Sequence, residues 1–200
     1  MTPTTVEAAG RPRVEGEREQ EILDAALAVL VEVGYDKLTM DAVAGQARAS
    51  KATLYRRWSG KAALVVEALA AQKQPADHPD TGSLRGDLLA AFCGAHGLTT
   101  PESAAIFAAT ITALGHDEEF ASAFRREIVG PKIARSRAVF ERARERGELR
   151  DGLDLELVAP ALAGIVLHRA FVLGQAPDQA TVTAVVDQII LPAVLAPNRG

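Results

Sequence analysis

Residues 38–64 read LTMDAVAGQARASKATLYRRWSGKAAL, and the fold follows from this stretch. Thr39 predicts an N-cap: its side chain can accept a hydrogen bond from an otherwise unpaired first-turn N–H of a helix over 40–46. Val43 and Ala47 then lie on the inward face of that helix. Ala47-Arg48-Ala49 is the turn. Ser50 predicts the cap of a second helix over 51–58, and Ser59 that of a third containing Lys61, Leu64, Val65 and Leu69. Leu54 and Trp58 are four apart, so they share a face and anchor the middle helix. Its remaining residues, Ser50, Lys51, Thr53 and Tyr55 among them, are left to face a groove. Two short helices about a tight turn make a helix-turn-helix that reads DNA.

Charge separates this stretch from an ordinary helical hairpin. Between Lys37 and Lys61 stand six basic residues (Lys37, Arg48, Lys51, Arg56, Arg57 and Lys61) and one acid, Asp41, although the whole chain carries −4. Positive charge concentrated on one element of an acidic chain is the footprint of a phosphate-binding face. Ser50, Lys51, Ala52 and Arg56 are placed to approach base edges in the major groove, with Lys51 the best donor to guanine. Arg57 suits either base or phosphate, and Arg48 brings an extra charge near DNA.

The ordered pattern Thr39…Ala44…Ser50-Lys51-Ala52-Thr53-Leu54-Tyr55-Arg56-Arg57-Trp58-Ser59-Gly60-Lys61-Ala62-Ala63-Leu64 resembles the DNA-binding domain of TetR-type transcriptional repressors. In that family a Thr-Leu-Tyr triplet on the recognition helix is followed by an aromatic and then a Lys, and the resemblance here spans 17–69. Two departures stand out: Arg48 and Ala49 occupy a turn where the family usually has Gly and then Val or Ile, and Arg56 and Arg57 follow Tyr55 where an aromatic or His is common. The resemblance implies phosphate contacts from Thr39, Thr53, Tyr55 and Lys61. It also implies a sequence-specific regulator, by the family's usual mode a repressor, that binds a palindromic operator in double-stranded DNA as a homodimer and responds to a small-molecule effector.

Outward from the stretch, residues 17–33 place Ile22, Ala26, Val29, Leu30 and Val33 at helical period opposite Glu19, Asp24 and Glu32, with Gly34 as the stop. The acidity of this helix keeps it off the phosphates and makes it the supporting member of a three-helix unit over 17–72. Residues 1–16, rich in Thr, Pro, Gly and Glu, predict a disordered tail. They lack the apolar run of a signal peptide, and no segment approaches the ~18 uncharged apolar residues of a membrane span. A single cysteine, Cys93, excludes an internal disulfide framework. The expectation is a cytoplasmic protein with no membrane partner.

Residues 73–83, KQPADHPDTGS, break the helical pattern and form a connection. The remaining 84–196 predict an all-α effector-binding and dimerisation domain, with helices over 84–96, 101–114, 118–146, 155–173 and 178–195. The third of these is expected to break near Gly130-Pro131, since proline has no N–H and disfavours helical geometry in its predecessor. Its basic second half, KIARSRAVFERARERGELR, reads as a solvated helix face. The segment 157–167 carries no charge until His168, so it must be surrounded, and 178–195 carries a broad apolar stripe. Packing these two helices against their copies as a four-helix bundle would bury Leu162, Val166, Val182, Val185, Val186, Ile189 and Ile190.

By the same resemblance the middle helices enclose an effector pocket, for which Phe92, His96, Phe107, Ile111, Phe124, Ile128, His168 and Phe171 are the candidates. Core packing is the competing role for each apolar one. Cys93 and His96 are half a metal site without a second pair, so no metal is expected. No phosphate-cradling loop or nucleophile elbow occurs, and neither a cofactor nor catalysis is expected. Two other classes compete: a helical homodimer that binds or transforms a small molecule without regulating, and a general DNA-coating protein, which −4 of net charge disfavours.

Overall fold

The computed structural model describes residues 11–72, 80–93, 101–175 and 178–196, and the chain divides into two compact units, Met1–Ala71 and Gln72–Gly200. Both are helical. Among the described residues the only β feature is an isolated antiparallel bridge between Leu149 and Leu195.

In the first unit, α1 (Arg11–Lys37) is interrupted at Gly34, whose φ of 76° leaves the helix. Glycine adopts this left-handed region without a Cβ penalty. Among the described residues α1 runs from Arg11, so 11–16, expected as part of a disordered tail, are helical. Charged residues are good helix formers. Residues 1–10 lie outside the described residues. Ile22, Ala26, Val29 and Leu30 are buried, as the period requires, and Leu23 with them, whereas Val33, expected on the same face, is 38% exposed just before Gly34.

Helix α2 (Met40–Gln46) is capped by Thr39, whose Oγ1 accepts from the Ala42 N–H at 3.1 Å. Helix α3 (Lys51–Arg57) is capped by Ser50, whose Oγ accepts from the Thr53 N–H at 3.1 Å. Helix α4 (Lys61–Ala71) departs from expectation: Gly60, not Ser59, directly precedes its first residue, and the Gly60 carbonyl accepts from the Leu64 N–H at 3.2 Å. Leu54, Trp58, Leu64 and Val65 complete the core, each at most 2% exposed.

The turn between α2 and α3 ends α2 with paired bonds, Arg48 N–H to Gly45 O and Ala49 N–H to Ala44 O. This closure places its C′ residue in the left-handed region and favours glycine there. Here that residue is Arg48, at φ 50°, the only non-glycine with positive φ among the described residues. Arg48→Gly should therefore raise the stability of the chain by about 0.5–1 kcal/mol, the left-handed penalty of about 1–2 kcal/mol exceeding the entropy glycine adds to the unfolded chain. Urea denaturation would show a higher midpoint. A lower one would mean that the arginine side chain contributes more than its backbone costs.

The second unit contains α5 (Leu84–Cys93), α6 (Pro101–Ile111), a 3₁₀ turn (Ala113–Gly115), α7 (Glu118–Phe124), α8 (Gly130–Glu145), α9 (Leu155–Val158), α10 (Ala161–Phe171), α11 (Gln179–Val185) and α12 (Leu191–Val194). The expected break near Pro131 does not occur. A π-helical segment, Arg125–Val129, carries α7 into α8, and a second, Val186–Ile190, carries α11 into α12 just before Pro192. Each widened turn sits where proline would clash with the carbonyl four residues back, so the helix passes the proline without breaking. The expected single helix over 155–173 is instead split at Ala159-Pro160.

Leu84 and Leu88 of α5 pack with Val139, Phe140 and Ala143 of α8, and with Leu162, Val166, Val182, Val185, Val186, Ile190 and Val194. This corrects the expected dimer interface. Leu162, Val166, Val182, Val185, Val186 and Ile190 are at most 6% exposed within the subunit, and of the seven only Ile189, at 49%, is open. Helical period shows that a face is covered; it does not show whether the cover comes from the same chain or a copy.

A buried ionic cluster joins the start of α5 to the end of α8. Asp87 is fully buried; it accepts from the Thr81 N–H at 2.6 Å and hydroxyl at 2.8 Å, and from Arg146 Nη2 at 3.2 Å, with Arg142 Nη2 at 3.9 Å. Glu148 accepts from the Leu84 N–H at 2.8 Å and from Arg146 Nε at 2.5 Å. The basic run is thus paired internally: Arg137 bonds Glu141 and Glu156, and Arg144 donates to the Leu153 carbonyl.

Candidate nucleic-acid interface

Helix α3 is held from one side only. Leu54 is fully buried, while Lys51, Ala52, Tyr55 and Arg56 are exposed and Thr53 half-buried; Tyr55 is 56% exposed. With Thr39, Arg48 and Ser50, also exposed, these make one polar surface on α2, the turn and α3. Thr39 caps by accepting, so its O–H remains to donate, as a phosphate requires. Ser50 Oγ and Thr53 Oγ1 are 2.8 Å apart, one donating to the other. Lys51 Nζ lies 2.5 Å from Asp41 Oδ2, in the first turn of α2.

Two expected contacts carry structural bonds. Arg57 Nη2 donates to Glu19 Oε1 of α1 at 2.9 Å and to Glu67 Oε1 of α4 at 3.0 Å. The Glu19 hydrogen bond first, and then the Glu67 charge, raise the guanidinium above its ordinary value. The other oxygen of Glu67 accepts from Trp58 Nε1 at 2.9 Å, so one carboxylate fixes the last two residues of the α3 segment. Of the roles open to Arg57, tying α3 to both neighbours is the one in view. Lys61 Nζ donates to the Tyr35 carbonyl at 3.1 Å and the Asp36 carbonyl at 3.4 Å, and lies 4.4 Å from the Tyr35 ring centroid. It closes the C-terminal end of α1, where a cation complements the dipole.

Sequence reasoning missed the acids. Glu19, Asp41 and Glu67 each engage a cation of the α3–α4 region, and Arg18 Nη2 donates to the Arg48 carbonyl at 2.7 Å, bracing the turn from α1. Glu19 lay in plain sight as the polar face of α1, but its partner is 38 residues away, beyond any local pattern.

In the second unit, among the described residues, the pocket candidates Phe107 and Phe171 meet, with ring centroids 4.9 Å apart. Phe92 packs against the hydrophobic core. Phe124 and Ile128 are buried, Phe124 against Phe120 at 5.6 Å. Ile111 and His168 are exposed. His96 lies outside the described residues. Cys93 is half-buried, and burial pushes its thiol up. No helix among the described residues is long and apolar enough to cross a membrane.

Comparison with known proteins matches both units. Residues 22–68 match the family described as bacterial regulatory proteins, tetR family, and residues 78–189 match the tetracyclin repressor-like C-terminal domain. The chain is 36% identical over 181 residues to an uncharacterized HTH-type transcriptional regulator of Mycobacterium tuberculosis, covering 88% of each. It is 36% identical over 176 residues to a DNA-binding transcriptional repressor of Mycobacteroides abscessus, covering 87% of this chain and 92% of that one. Among solved structures, a TetR family transcription regulator superposes with a TM-score of 0.67 at 30% identity, over 90% of this chain and all of that one. A TetR transcriptional regulator from Agrobacterium tumefaciens gives 0.66 at 25% identity, over 90% and 95%.

Proposed function

Because the chain belongs to the tetR family of helix-turn-helix transcriptional regulators, we propose that it is a repressor that binds a palindromic operator as a homodimer and leaves it when a small molecule occupies the second unit. The observation that carries the reading is the exposed polar face of α3, with Lys51 and Arg56 projecting from a helix fixed by Leu54 and Trp58. Lys51 and Arg56 take base edges, with Ser50 and Ala52 beside them. Thr39, Thr53, Tyr55 and Lys61 take phosphates, and Arg48 adds charge at the turn. Arg57 positions α3. The reading assigns the chain no catalysis and places it in the cytoplasm, where its DNA is.

For the dimer we propose the face of the late helices that the subunit leaves open. Leu157, Val172 and Ile189 are 73%, 69% and 49% exposed, and Gly164 of α10 and Ala180 and Ala184 of α11 are exposed too, small enough to let helices approach closely. The effector is proposed to meet Phe107 and Phe171. It must bind the DNA-incompetent arrangement more tightly, since equal affinity for both states shifts nothing.

Fluorescence anisotropy at physiological salt should show a preference of about 10³-fold or more for the DNA upstream of this protein's gene over shuffled DNA, a range typical of operator recognition. The stoichiometry should be two chains per duplex. Lys51→Ala should cost ~1–3 kcal/mol on the preferred duplex and relax one base, whereas Lys61→Ala should weaken all sequences and lower the salt slope by about one. Equal, weak binding to every duplex, including ones selected from a random pool, would overturn the reading.

A further inference from the structure

Asp41 is the one acid between Lys37 and Lys61, and it stands on the surface that must approach a polyanion. A carboxylate in the first turn of α2 is favoured by the helix dipole, which accounts for an acid there but not for its partner. Its Oδ2 lies 2.5 Å from Nζ of Lys51, the first residue of α3, and the side chains are 58% and 63% exposed. The pair spans the turn and links α2 to the reading helix α3. Exposed ion pairs contribute little to stability, so its consequence is to be sought where charge at this surface matters, in the choice among DNA sequences.

Lysine carries a compact charge on a flexible four-carbon stem. Alone at the head of α3, such an ammonium can swing to the nearest phosphate, a contact every sequence offers, or reach into the groove for guanine O6 and N7, which only some offer. A carboxylate beside it changes that choice in two ways. It holds the ammonium at the inter-helix position, and it opposes any approach of the ammonium's surroundings to phosphate. Non-specific binding is almost wholly electrostatic, whereas specific binding also draws on base contacts, so an acid here weakens the wrong complexes more than the right one. Discrimination built on a repulsive element is a general device of specific interfaces.

We propose that Asp41 is a positioning residue that sets specificity through Lys51, keeping its ammonium as a base reader and denying it to the phosphates. This rests on the reading of α3 as the base-contacting helix. The test uses the full chain with Asp41→Asn, Lys51→Ala and the double substitution, against a duplex selected from a random pool by the wild-type protein and against its shuffled counterpart, over a range of salt. Asp41→Asn should bind shuffled DNA about fivefold tighter with a steeper salt slope, as expected for one opposing charge removed, and bind the selected duplex within about twofold of wild type. The preference then falls, and in the Lys51→Ala background the same substitution leaves the preference unchanged. Equal tightening on both duplexes would overturn the proposal by making Asp41 a diffuse charge, as would an equal loss of preference without Lys51. Loss of binding to both duplexes, with the wild-type melting temperature, would overturn it as well. Failure of the wild-type protein to select any sequence would instead remove the reading of α3, and the proposal with it.

Discussion

Asp87→Ala should lower the stability of the chain by about 3 kcal/mol, at the low end of the cost of removing one partner from a buried ion pair. The carboxylate is fully buried and satisfied on all sides by Thr81, Arg146 and Arg142. Its removal takes the acceptor from the Thr81 N–H, leaves the Thr81 hydroxyl the Ser83 carbonyl at 3.3 Å, and leaves two guanidinium groups near each other at the junction of α5 and α8. The side chain of Arg146 is 25% exposed and keeps Glu148, which lets it recover part of the loss. Asp87→Asn retains an acceptor for Thr81 and should cost less. The check is the urea midpoint by far-UV circular dichroism, with the slope unchanged; an unaltered midpoint would show that the cluster merely replaces water.

The same group predicts a pH dependence. Burial acts to raise the Asp87 carboxyl, but the Thr81 hydrogen bonds and the Arg146 charge outweigh it, holding the group below the ordinary carboxylate range. A carboxyl depressed in the folded state contributes stability that is present above its unfolded value, about 3.9, and is lost as pH falls through the lower folded value. Stability of the wild-type protein should therefore decline below about pH 4, and Asp87→Asn should flatten that decline.

What was legible in the sequence is what is local. Thr39, Ser50 and Gly34 announce helix ends through bonds and backbone angles that involve residues three or four away, and the structure places caps and stop at those positions. Pro131 and Pro192 show the limit of the local rule: the clash it describes is real, yet a single π turn absorbs it, and nothing in composition distinguishes a broken helix from a widened one. Val182 and Val186 show another. Their period declares burial correctly and is silent on whether α5 and α8 or a second subunit provides it. At the candidate interface, the outward residues of α3 could be read because Leu54 and Trp58 define the inward side. The acids that hold Arg57 could not, because Glu19 and Glu67 converge on it only after three helices have packed. Gly60 preceding α4 in place of Ser59 is a shift of one residue, within the ordinary uncertainty of helix ends.

Trp58→Ala should weaken operator binding by destabilising the first unit rather than by removing a contact to DNA. The indole is 2% exposed, and its Nε1–H donates to Glu67 at 2.9 Å. Truncating a buried tryptophan costs about 3–5 kcal/mol, while stability runs at only about 0.05–0.15 kcal/mol per residue. For the unit Met1–Ala71 that amounts to about 4–11 kcal/mol, so the loss removes a large share of what holds it folded. The contrast with Trp58→Phe separates packing from hydrogen bonding. Phenylalanine keeps most of the buried ring and leaves Glu67 its bond to Arg57, so the variant should lose about 1–2 kcal/mol, the cost of an unsatisfied acceptor, and still prefer the operator at reduced temperature. Circular dichroism melts read with anisotropy distinguish the two. A Trp58→Ala protein that melts as the wild type does but no longer binds would place the indole at the DNA instead. In that event Leu54 and the tie from Glu67 through Arg57 would be what holds α3 in place.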